Sequence, residues 1–483
     1  MPRFLRILAG RLHLLVTSGV PLSRLERLND KILTLIMENL QLTFEFDSHY
    51  IGKPEIRNRN DLWSLSLSSR RLNKIATPVL FRTFIQTKNH ALPAFIKQLL
   101  SKSELGYYVK RIFCTSQNRV SENFSMDAHG FTSMDYEVCF ELLKNRSGLN
   151  NFDGMRDIKS GSWGALLALL LCLVPSLEEI TLFDHGRPTS FWLRDILDRA
   201  ARDQAENNNS SFSLSHLKRV TFHYARDGLS SQFCQIAPFL CLKSVEIFHV
   251  TKMDILNDVE SWSFSVGEQR YVNTEPTIIP RDCVFQTKHI RLDHCRIRHN
   301  RFREFFKCFR SLQSLEYIYG GQDGCGSGRF NGSEFGLAIS HLKPSLEYLR
   351  ITSCSELQVK KLDRHGDLVP SHWLLGPCLS DFEKLVELYI DRAVFSASAD
   401  AQRDDEAEVS YEETNLFPKC LEKLTVSRGL IEPRQIAYLV KQRGELVPSL
   451  KVLKICMRRV APYKRERLLD AYKAAGIDLL FFK

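Results

Sequence analysis

A cluster of basic and potential metal-binding residues lies in the stretch KHIRLDHCRIRHNRFREFFK, residues 288–307. His289, His294, Cys295 and His299 carry side chains that bind zinc in many proteins, provided that several of them converge on one point. The surrounding arginines and lysines would instead suit an acidic partner. The stretch therefore raises two possibilities, a metal site or a basic binding surface.

Strand alternation separates these residues. In a β-strand, Ile290 and Leu292 would enter the core, while His289, Arg291 and Asp293 would face the opposite side. The cysteine would then occupy a buried slot, and the last histidine would start the following helix. We therefore expect a solvated basic strand and no metal. RNA binding is also not expected, because exposed aromatic residues for base stacking are not interleaved with the basic ones.

Common catalytic motifs are missing from the sequence. It contains no G-x-S-x-G, H-E-x-x-H, Walker or kinase signature. The glycine-rich stretch from Gly320 to Gly332 lacks the lysine and serine or threonine that end a phosphate-binding loop. We expect a protein that is not an enzyme and that needs no cofactor. The enzyme alternative would require acids or histidines converging in one pocket.

Composition is typical of a globular protein. The chain has 483 residues, of which 44% are hydrophobic and 25% charged, and its net charge is +10. Its 13 cysteines contain no C-x-x-C pair, which favours free thiols in the cytoplasm or nucleus. The longest uncharged apolar run, 163–174, is too short to cross a membrane, so no membrane partner is expected. Residues 1–22 form a basic tail.

The strongest internal signal is a repeated strand motif. LVPSLEEITL at Leu173 recurs as LVPSLKVLKI at Leu446, and KPSLEYLRI at Lys343 and FPKCLEKLTV at Phe417 are related. Each copy has the apolar-x-x-apolar-x-apolar form of a leucine-rich repeat. The first apolar positions of the series are Leu177, Leu217, Leu242, Thr287, Leu312, Leu346, Leu385, Leu421 and Leu450.

Amphipathic segments between these strands predict helices. FWLRDILDRAARDQ and RFREFFKCFRSL are examples, and in the second Phe302, Phe305, Phe306 and Phe309 fall on one face. Alternating strands and helices predict an α/β fold with a parallel sheet and right-handed crossovers. We therefore expect an irregular leucine-rich-repeat solenoid, a horseshoe, over residues 105–483, with loops near 204–213, 320–333 and 396–415. Residues 461–482 predict a final helix and a closing strand that caps the array.

A solenoid of this kind would use its concave face for binding. The predicted solvent-facing positions between the two inward residues of each strand are Thr181, Thr221, Glu246, Arg291, Glu316, Arg350, Tyr389, Thr425 and Lys454. Their charges are mixed, which suits an extended protein or peptide better than a uniform polyanion. The sequence does not identify that target protein.

The N-terminal stretch LNDKILTLIMENL, residues 28–40, predicts a helix. Asn29 or Asp30 supplies an N-cap oxygen. Ile32, Leu35 and Ile36 make its other side apolar as well, so the helix either sits deep in a core or awaits a partner. The apolar positions of its first side are Leu33, Ile36, Met37 and Leu40.

A second amphipathic segment is DLWSLSLSSRRLNKIATPVLF, residues 61–81. Between the two segments, Gly52 to Pro54 predicts a loop. Asp61 would cap the second helix, and Pro78 would end it. The residues predicted to line its apolar face are Leu62, Leu65, Leu72 and Ile75.

Residues 28–84 resemble an F-box in its fungal form. LNDKILTLIMENL matches the family's first helix, NDLWSLSLSSRRLNKIA its second part, and TPVLFRTF the ending common in fungal members. The family's usual proline is Asn29 here, and the loop between the two parts is longer. The resemblance assigns residues 23–87 to an F-box-like helical module.

The resemblance implies a function for the whole chain. The chain is similar to F-box/leucine-rich-repeat substrate receptors. Members of that family dock on the Skp adaptor of a cullin ubiquitin ligase and hold a target protein. The adaptor-binding residues carried over by position are Leu28, Ile32, Leu35, Ile36 and Leu40. The alternative is an interaction scaffold with no link to ubiquitin ligases, in which the first helix only caps the repeat array.

Overall fold

We describe the protein from a computed structural model. The residues that the structure describes are 27–40, 54–86, 88, 90–115, 126–147, 153–184, 191–206, 214–224, 231–255, 284–297, 299–319, 332–353, 379–391, 417–427, 444, 447–456 and 462–482. The chain divides into two compact units. The first comprises Met1–Leu182, Ser190–Arg199 and Asn209–Leu217, and the second Phe183–Thr189, Ala200–Asn208 and Lys218–Lys483.

The described α-helices are numbered in chain order. They are α1 Asp30–Leu40, α2 Pro54–Ser68, α3 Arg70–Phe81, α4 Ala91–Ser101, α5 Ser133–Ser147, α6 Asp153–Lys159, α7 Trp163–Leu173, α8 Phe191–Ala205, α9 Phe233–Leu240, α10 His299–Phe306, α11 Gly332–Ile339 and α12 Pro462–Ala474. None of the described helices is both long and apolar enough to span a membrane.

The strands are numbered in the same way. They are β1 Thr83–Ile85, β2 Arg111–Thr115, β3 Glu179–Asp184, β4 Arg219–Tyr224, β5 Ser231–Gln232, β6 Ile247–Thr251, β7 Met253–Ile255, β8 His289–Ile297, β9 Ser314–Tyr319, β10 Tyr348–Ser353, β11 Glu387–Asp391, β12 Lys423–Ser427, β13 Val452–Cys456 and β14 Asp478–Phe482. In the first unit β1 pairs in parallel with β2. In the second unit the order is β4-β6-β8-β9-β10-β11-β12-β13-β14, and every pairing between these neighbours is parallel. The predicted α/β class with an open parallel sheet is confirmed.

Helices α1, α2 and α3 form the helical module. Asn29 caps α1, because its Oδ1 accepts a hydrogen bond of 2.9 Å from the Lys31 amide. The nine fully buried residues of the module core are Leu33, Ile36, Met37, Leu40, Leu62, Leu65, Leu72, Ala76 and Val79. The predicted first side of α1 is therefore the buried one.

The boundaries of α2 and α3 differ from the prediction. The helix begins at Pro54, where the missing amide of proline costs nothing in the first turn. The helical segment is interrupted at Ser69, which has an extended backbone. Its Oγ accepts a hydrogen bond of 3.2 Å from the Leu72 amide and so caps the next helix, α3. Pro78 does not end that helix, which continues to Phe81.

The repeated motif predicts the strand positions almost throughout. Most strands begin two residues after the predicted first apolar residue, as Arg219 follows Leu217 and Val452 follows Leu450. These first apolar residues are buried. The exception is β6, which begins five residues after Leu242.

Helices of the second unit pack on the inward-facing side of the strands. The ring of Phe302 in α10 meets that of Tyr317 in β9 edge to face at 5.9 Å. Tyr317 also stacks on Phe335 of α11, with 5.5 Å between ring centroids. The predicted phenylalanine face is buried throughout, with Phe305 and Phe306 in α10 and Phe309 three residues after its end. The final helix and strand, α12 and β14, are also confirmed.

Several predicted segments lie outside the described residues, including the tail 1–22 and the loop 396–415. Of the other two predicted loops, residues 204–205 instead end α8 and residues 332–333 instead begin α11, while 207–213 and 320–331 lie outside the described residues. The described cysteines carry free thiols. The leucine-rich-repeat solenoid remains a prediction beyond the confirmed α/β class.

Candidate functional site

The outer side of α1 carries two exposed apolar residues. Ile32 is 47% exposed and Leu35 is 51% exposed. Leu28 packs against the module core and is partly buried. These three of the five predicted adaptor-binding residues remain wholly or partly accessible.

The other two predicted adaptor-binding residues are not accessible. Ile36 and Leu40 are 6% and 7% exposed and belong to the module core. They follow Leu33 and Ile36 at helical spacing, so a helix that buries Leu33 also buries them. The prediction that they form part of an exposed face is wrong.

Polar contacts fix α1 on α3. Nη2 of Arg71 donates to the Leu28 carbonyl oxygen at 2.7 Å and to Oδ1 of Asp30 at 2.5 Å. At the other end of the helix, Arg82 pairs with Glu38 at 3.1 Å. Because Arg71 of α3 and Arg82 directly after α3 hold both ends of α1, the outer side of α1 is held away from the module core.

Two further exposed apolar residues lie on α2. Trp63 is 53% exposed and Leu67 is 68% exposed, and they are one helical turn apart. Sequence analysis missed them. The available signal was their position beside Leu62 and Leu65, which face the core. We call Ile32, Leu35, Trp63 and Leu67 the exposed apolar set.

The register of the second unit's sheet aligns one residue from each of the strands β4, β6 and β8 to β13, at the position between the two core-facing residues. By register these residues, which we call the polar row, are Thr221, His249, Arg291, Glu316, Arg350, Tyr389, Thr425 and Lys454. Seven of them were predicted. The prediction that Glu246 occupies this position on β6 is wrong, because His249 lies there instead.

The misplacement is a three-residue register error. Phe248 of β6 pairs with Val220, so Val245 and not Leu242 is the first apolar residue of that repeat. Both residues fit the apolar pattern and both are buried. Ser244 before Val245 matches the Ser-Leu start of other repeats and could have decided the choice. Glu246 instead precedes the strand, where its carboxylate pairs with Lys288 at 3.6 Å.

Two predicted binding residues are too buried to contact a partner. Thr425 is 3% exposed, and its row neighbours are Tyr389 and Lys454. A threonine side chain is much shorter than either neighbour, so the neighbours cover it. Thr181 of β3, in the first unit, is 2% exposed. The prediction that these two residues are solvent-facing is wrong.

The centre of the polar row is a group of charged side chains. Oε2 of Glu316 lies 3.8 Å from Nε of Arg291 and 3.5 Å from Nη1 of Arg350. The Arg350 guanidinium lies 4.5 Å above the ring centre of Tyr389. One carboxylate is therefore shared between two arginines, and one of those arginines is supported by an aromatic ring.

A β-bulge in β8 lies beside this group. His294 has a φ of 55°, in the left-handed region, and the register shifts between Asp293 and Cys295. Residues two apart would share a face of a regular strand, yet the bulge turns Cys295 into the core. The Asp293 carboxylate contacts Nδ1 of His294 at 2.6 Å. Burial raises the pKa of Asp293, but the hydrogen bond and charge of His294 outweigh this effect and lower it.

Two half-buried histidines continue the surface on β4 and β6. Burial, followed by the charge of Arg291, lowers the pKa of His249 to about 3. Burial also lowers the pKa of His223 to about 4, despite the opposing charge of Asp293. Both imidazoles are therefore neutral near pH 7. The His223 ring stacks on Phe183 at 4.8 Å.

Within the described part of the chain, no three histidines, cysteines or acids are grouped so that they could hold a metal ion. The four potential zinc ligands of residues 288–307 are divided as predicted, since Cys295 is buried and His299 begins α10.

Comparison with known proteins does not assign this chain to a family. No protein-family model matches the sequence, and no curated protein matches it.

Proposed function

We propose that this chain is a non-catalytic substrate-recognition subunit of a Skp–cullin–F-box ubiquitin ligase. The helical module would dock on the Skp adaptor, and through it on a cullin. The parallel sheet, as part of a leucine-rich-repeat domain, would hold a target protein in the cytoplasm or nucleus. No cofactor or nucleic acid takes part in this function.

The mechanism is proximity. A target held on the chain would be confined near the ubiquitin-conjugating enzyme that the cullin recruits. Confinement raises the effective concentration of a target lysine and makes its encounter with the activated ubiquitin intramolecular. The chain itself would contribute binding and orientation but no reacting group.

The observation that carries this proposal is the exposure of Ile32 and Leu35. The module core is complete without these residues, because the other side of α1 supplies its buried contacts. Exposing two large aliphatic side chains on one helix gives no benefit to folding. A partner that covers them would recover their hydrophobic contribution, and Trp63 and Leu67 offer further apolar area on α2.

The second candidate is an interaction scaffold with no ubiquitin-ligase link. It is favoured by the burial of Ile36 and Leu40, which leaves fewer accessible residues than the resemblance implies. In that case the sheet would bind a partner, and the helical module would serve only as structure.

Binding to a purified Skp adaptor separates the two candidates. The test variant is Ile32→Asp/Leu35→Asp, and the matched control is Met134→Asp/Val138→Asp, which changes two exposed apolar residues on α5. We expect isothermal titration calorimetry to show binding by the parent and the control. We expect the test variant to bind at least about tenfold more weakly, since charge replaces apolar contacts at the interface.

Two results would contradict the adaptor proposal. One is a parent chain that does not bind the adaptor. The other is a test variant that binds as tightly as the control, with circular dichroism spectra showing both to be folded. Either result would favour the scaffold.

A further inference from the structure

We propose that the polar row between Arg350 and Lys454 binds an extended acidic segment of the target protein, with two carboxylates about four residues apart. The inference rests on the proposed function for the identity of the partner as a target. The site itself is argued from the arrangement of charges on β10 to β13.

Arg350 is oriented for anion binding. Its guanidinium carbon lies 4.5 Å over the ring centre of Tyr389, the residue in register on the next strand. This cation–π contact restricts the guanidinium without using its N–H groups as hydrogen-bond donors. A planar guanidinium fixed in this way can donate two parallel hydrogen bonds to a carboxylate.

The hydrogen-bonding capacity of Arg350 is largely unused among the described residues. Its contact with Glu316 is an ion pair at 3.5 Å, and its Nε has no hydrogen-bond partner there. Glu316 is also shared with Arg291. Nε is buried, but the side chain as a whole is 30% exposed, so part of Arg350 is accessible to a ligand.

The other acids near this part of the row are already committed. Glu387 pairs with Lys423 on the neighbouring strand at 2.5 Å. Asp391 is 2% exposed and accepts a hydrogen bond from Ser427. Lys454 forms no ion pair with any described acid, so the row from β10 to β13 has excess positive charge.

Tyr348 adds a neutral donor beside Arg350. It lies two residues earlier on β10 and therefore on the same face. Burial raises the pKa of Tyr348 to about 12, and the charge of Glu316 acts in the same direction. Its hydroxyl group is therefore protonated at neutral pH and can donate to an incoming carboxylate.

The spacing of the two cations defines the ligand. Arg350 and Lys454 lie in register three strands apart. Neighbouring strands are about 4.8 Å apart, so the two backbone positions are separated by about 14 Å. An extended chain advances about 3.4 Å per residue and covers this distance in about four residues. The peptide motif that fits is therefore acid-x-x-x-acid, and the bound peptide crosses the strands over Tyr389.

The acids of the surface argue for a peptide over a nucleic acid. Glu316 lies in register with Arg350 on one side, and Glu387 lies in register with Tyr348 on the other. These carboxylates would repel the continuous charge of a phosphate backbone. The two separate carboxylates of an extended peptide can reach Arg350 and Lys454 without coming close to Glu316 or Glu387.

The test uses the full chain and fluorescein-labelled twelve-residue peptides of serine and threonine. Each peptide contains two glutamates separated by zero to six residues, and a matched set contains glutamine. Fluorescence anisotropy at low salt should show the tightest binding with three intervening residues. Arg350→Gln and Lys454→Gln should each weaken that binding about tenfold, and Arg310→Gln, an exposed arginine outside the row, should leave it unchanged.

Binding that ignores the spacing, glutamine peptides that bind equally well, or an Arg350→Gln variant that is folded and unaffected would each overturn the proposal. Tighter binding of a twelve-nucleotide uridine RNA would overturn it in favour of a nucleic-acid surface. Adaptor binding is measured separately through Ile32 and Leu35. A chain that selects the acidic peptides but does not bind the adaptor would retain this site while losing the ubiquitin-ligase function.

Discussion

The helical module and the sheet of the second unit expose opposite chemistry. The module presents the exposed apolar set, with Ile32 and Leu35 on one helix. The sheet presents the polar row, in which Glu316 contacts Arg291 and Arg350. Both regions bury a continuous apolar side, so the difference lies only in what they leave outside.

This difference indicates two kinds of recognition. Apolar contacts are non-directional and tolerate small changes of geometry, so they suit attachment to one constant partner. Charged groups must be matched in sign and position, so they suit selection among many partners. The proposed division between adaptor docking and target selection follows this physical distinction.

The largest effect is expected from charging the two sides of α1 separately. Ile36→Asp should destabilise the helical module by roughly 4 kcal/mol, because it removes a buried side chain and places a carboxylate in an apolar core. Leu35→Asp should change stability by less than about 0.5 kcal/mol, because that side chain is exposed. Hydrogen exchange of the α1 amides measures both values.

The adjacent positions make each variant the control for the other. Equal destabilisation by the two variants would show that Leu35 is covered by the protein itself. The apolar surface of the module would then no longer differ from its core.

An intermediate effect is expected from pH in the sheet of the second unit. His223 and His249 have folded pKa values below the unfolded value of about 6.5, so the unfolded chain binds protons first as pH falls. Their contribution to stability is complete above that value and is lost between about pH 6.5 and the folded pKa values of about 4 and about 3. From pH 7 to pH 5 each histidine should cost the second unit somewhat under about 2 kcal/mol, which is roughly 3 kcal/mol for the two together.

Urea unfolding at pH 7, 6 and 5 measures this loss, with His223→Asn/His249→Asn as the comparison. The double variant should show a smaller loss over the same range. Asp293 does not interfere, because its lowered pKa places its own contribution below this range. An unchanged pH dependence in the double variant would show that other groups cause it.

The smallest effect is expected at Arg71. Arg71→Ala removes the contacts with Asp30 and the Leu28 carbonyl, but both charged side chains are substantially exposed. The loss should therefore be about 0.5–1 kcal/mol. A shift of about 2–4 °C in the thermal midpoint is expected.

The consequence for binding is more informative than the shift itself. If the contacts of Arg71 with Asp30 and the Leu28 carbonyl orient α1, the Arg71→Ala variant should also bind a Skp adaptor more weakly while remaining folded. A lysine at the same position, Arg71→Lys, keeps the charge and should recover part of the stability. Unchanged adaptor binding by Arg71→Ala would show that the contacts of Arg71 do not orient α1 for the adaptor.

The sequence alone determined the α/β class and most strand positions. Strands begin two residues after Leu177, Leu217, Leu312 and Leu450 because the apolar pattern has the period of a half-buried strand. The buried phenylalanine side of α10 and the Asn29 cap were predicted for the same reason. Each depends on residues close together in the chain.

The tertiary structure decided features that depend on neighbours distant in the chain. Leu242 and Val245 both fit the apolar pattern of the repeat, and pairing with β4 places His249 in the polar row. Thr425 is polar by sequence but is buried, because larger residues of adjacent strands flank it.

The same limit applies to α1, where the sequence shows apolar residues on both sides. Packing of α2 and α3 on one side buries Ile36 and leaves Leu35 exposed. Local spacing determines which residues share a face, because helix geometry fixes it within a few residues. Which face is covered depends on contacts between segments far apart in sequence, and these form only when the chain folds.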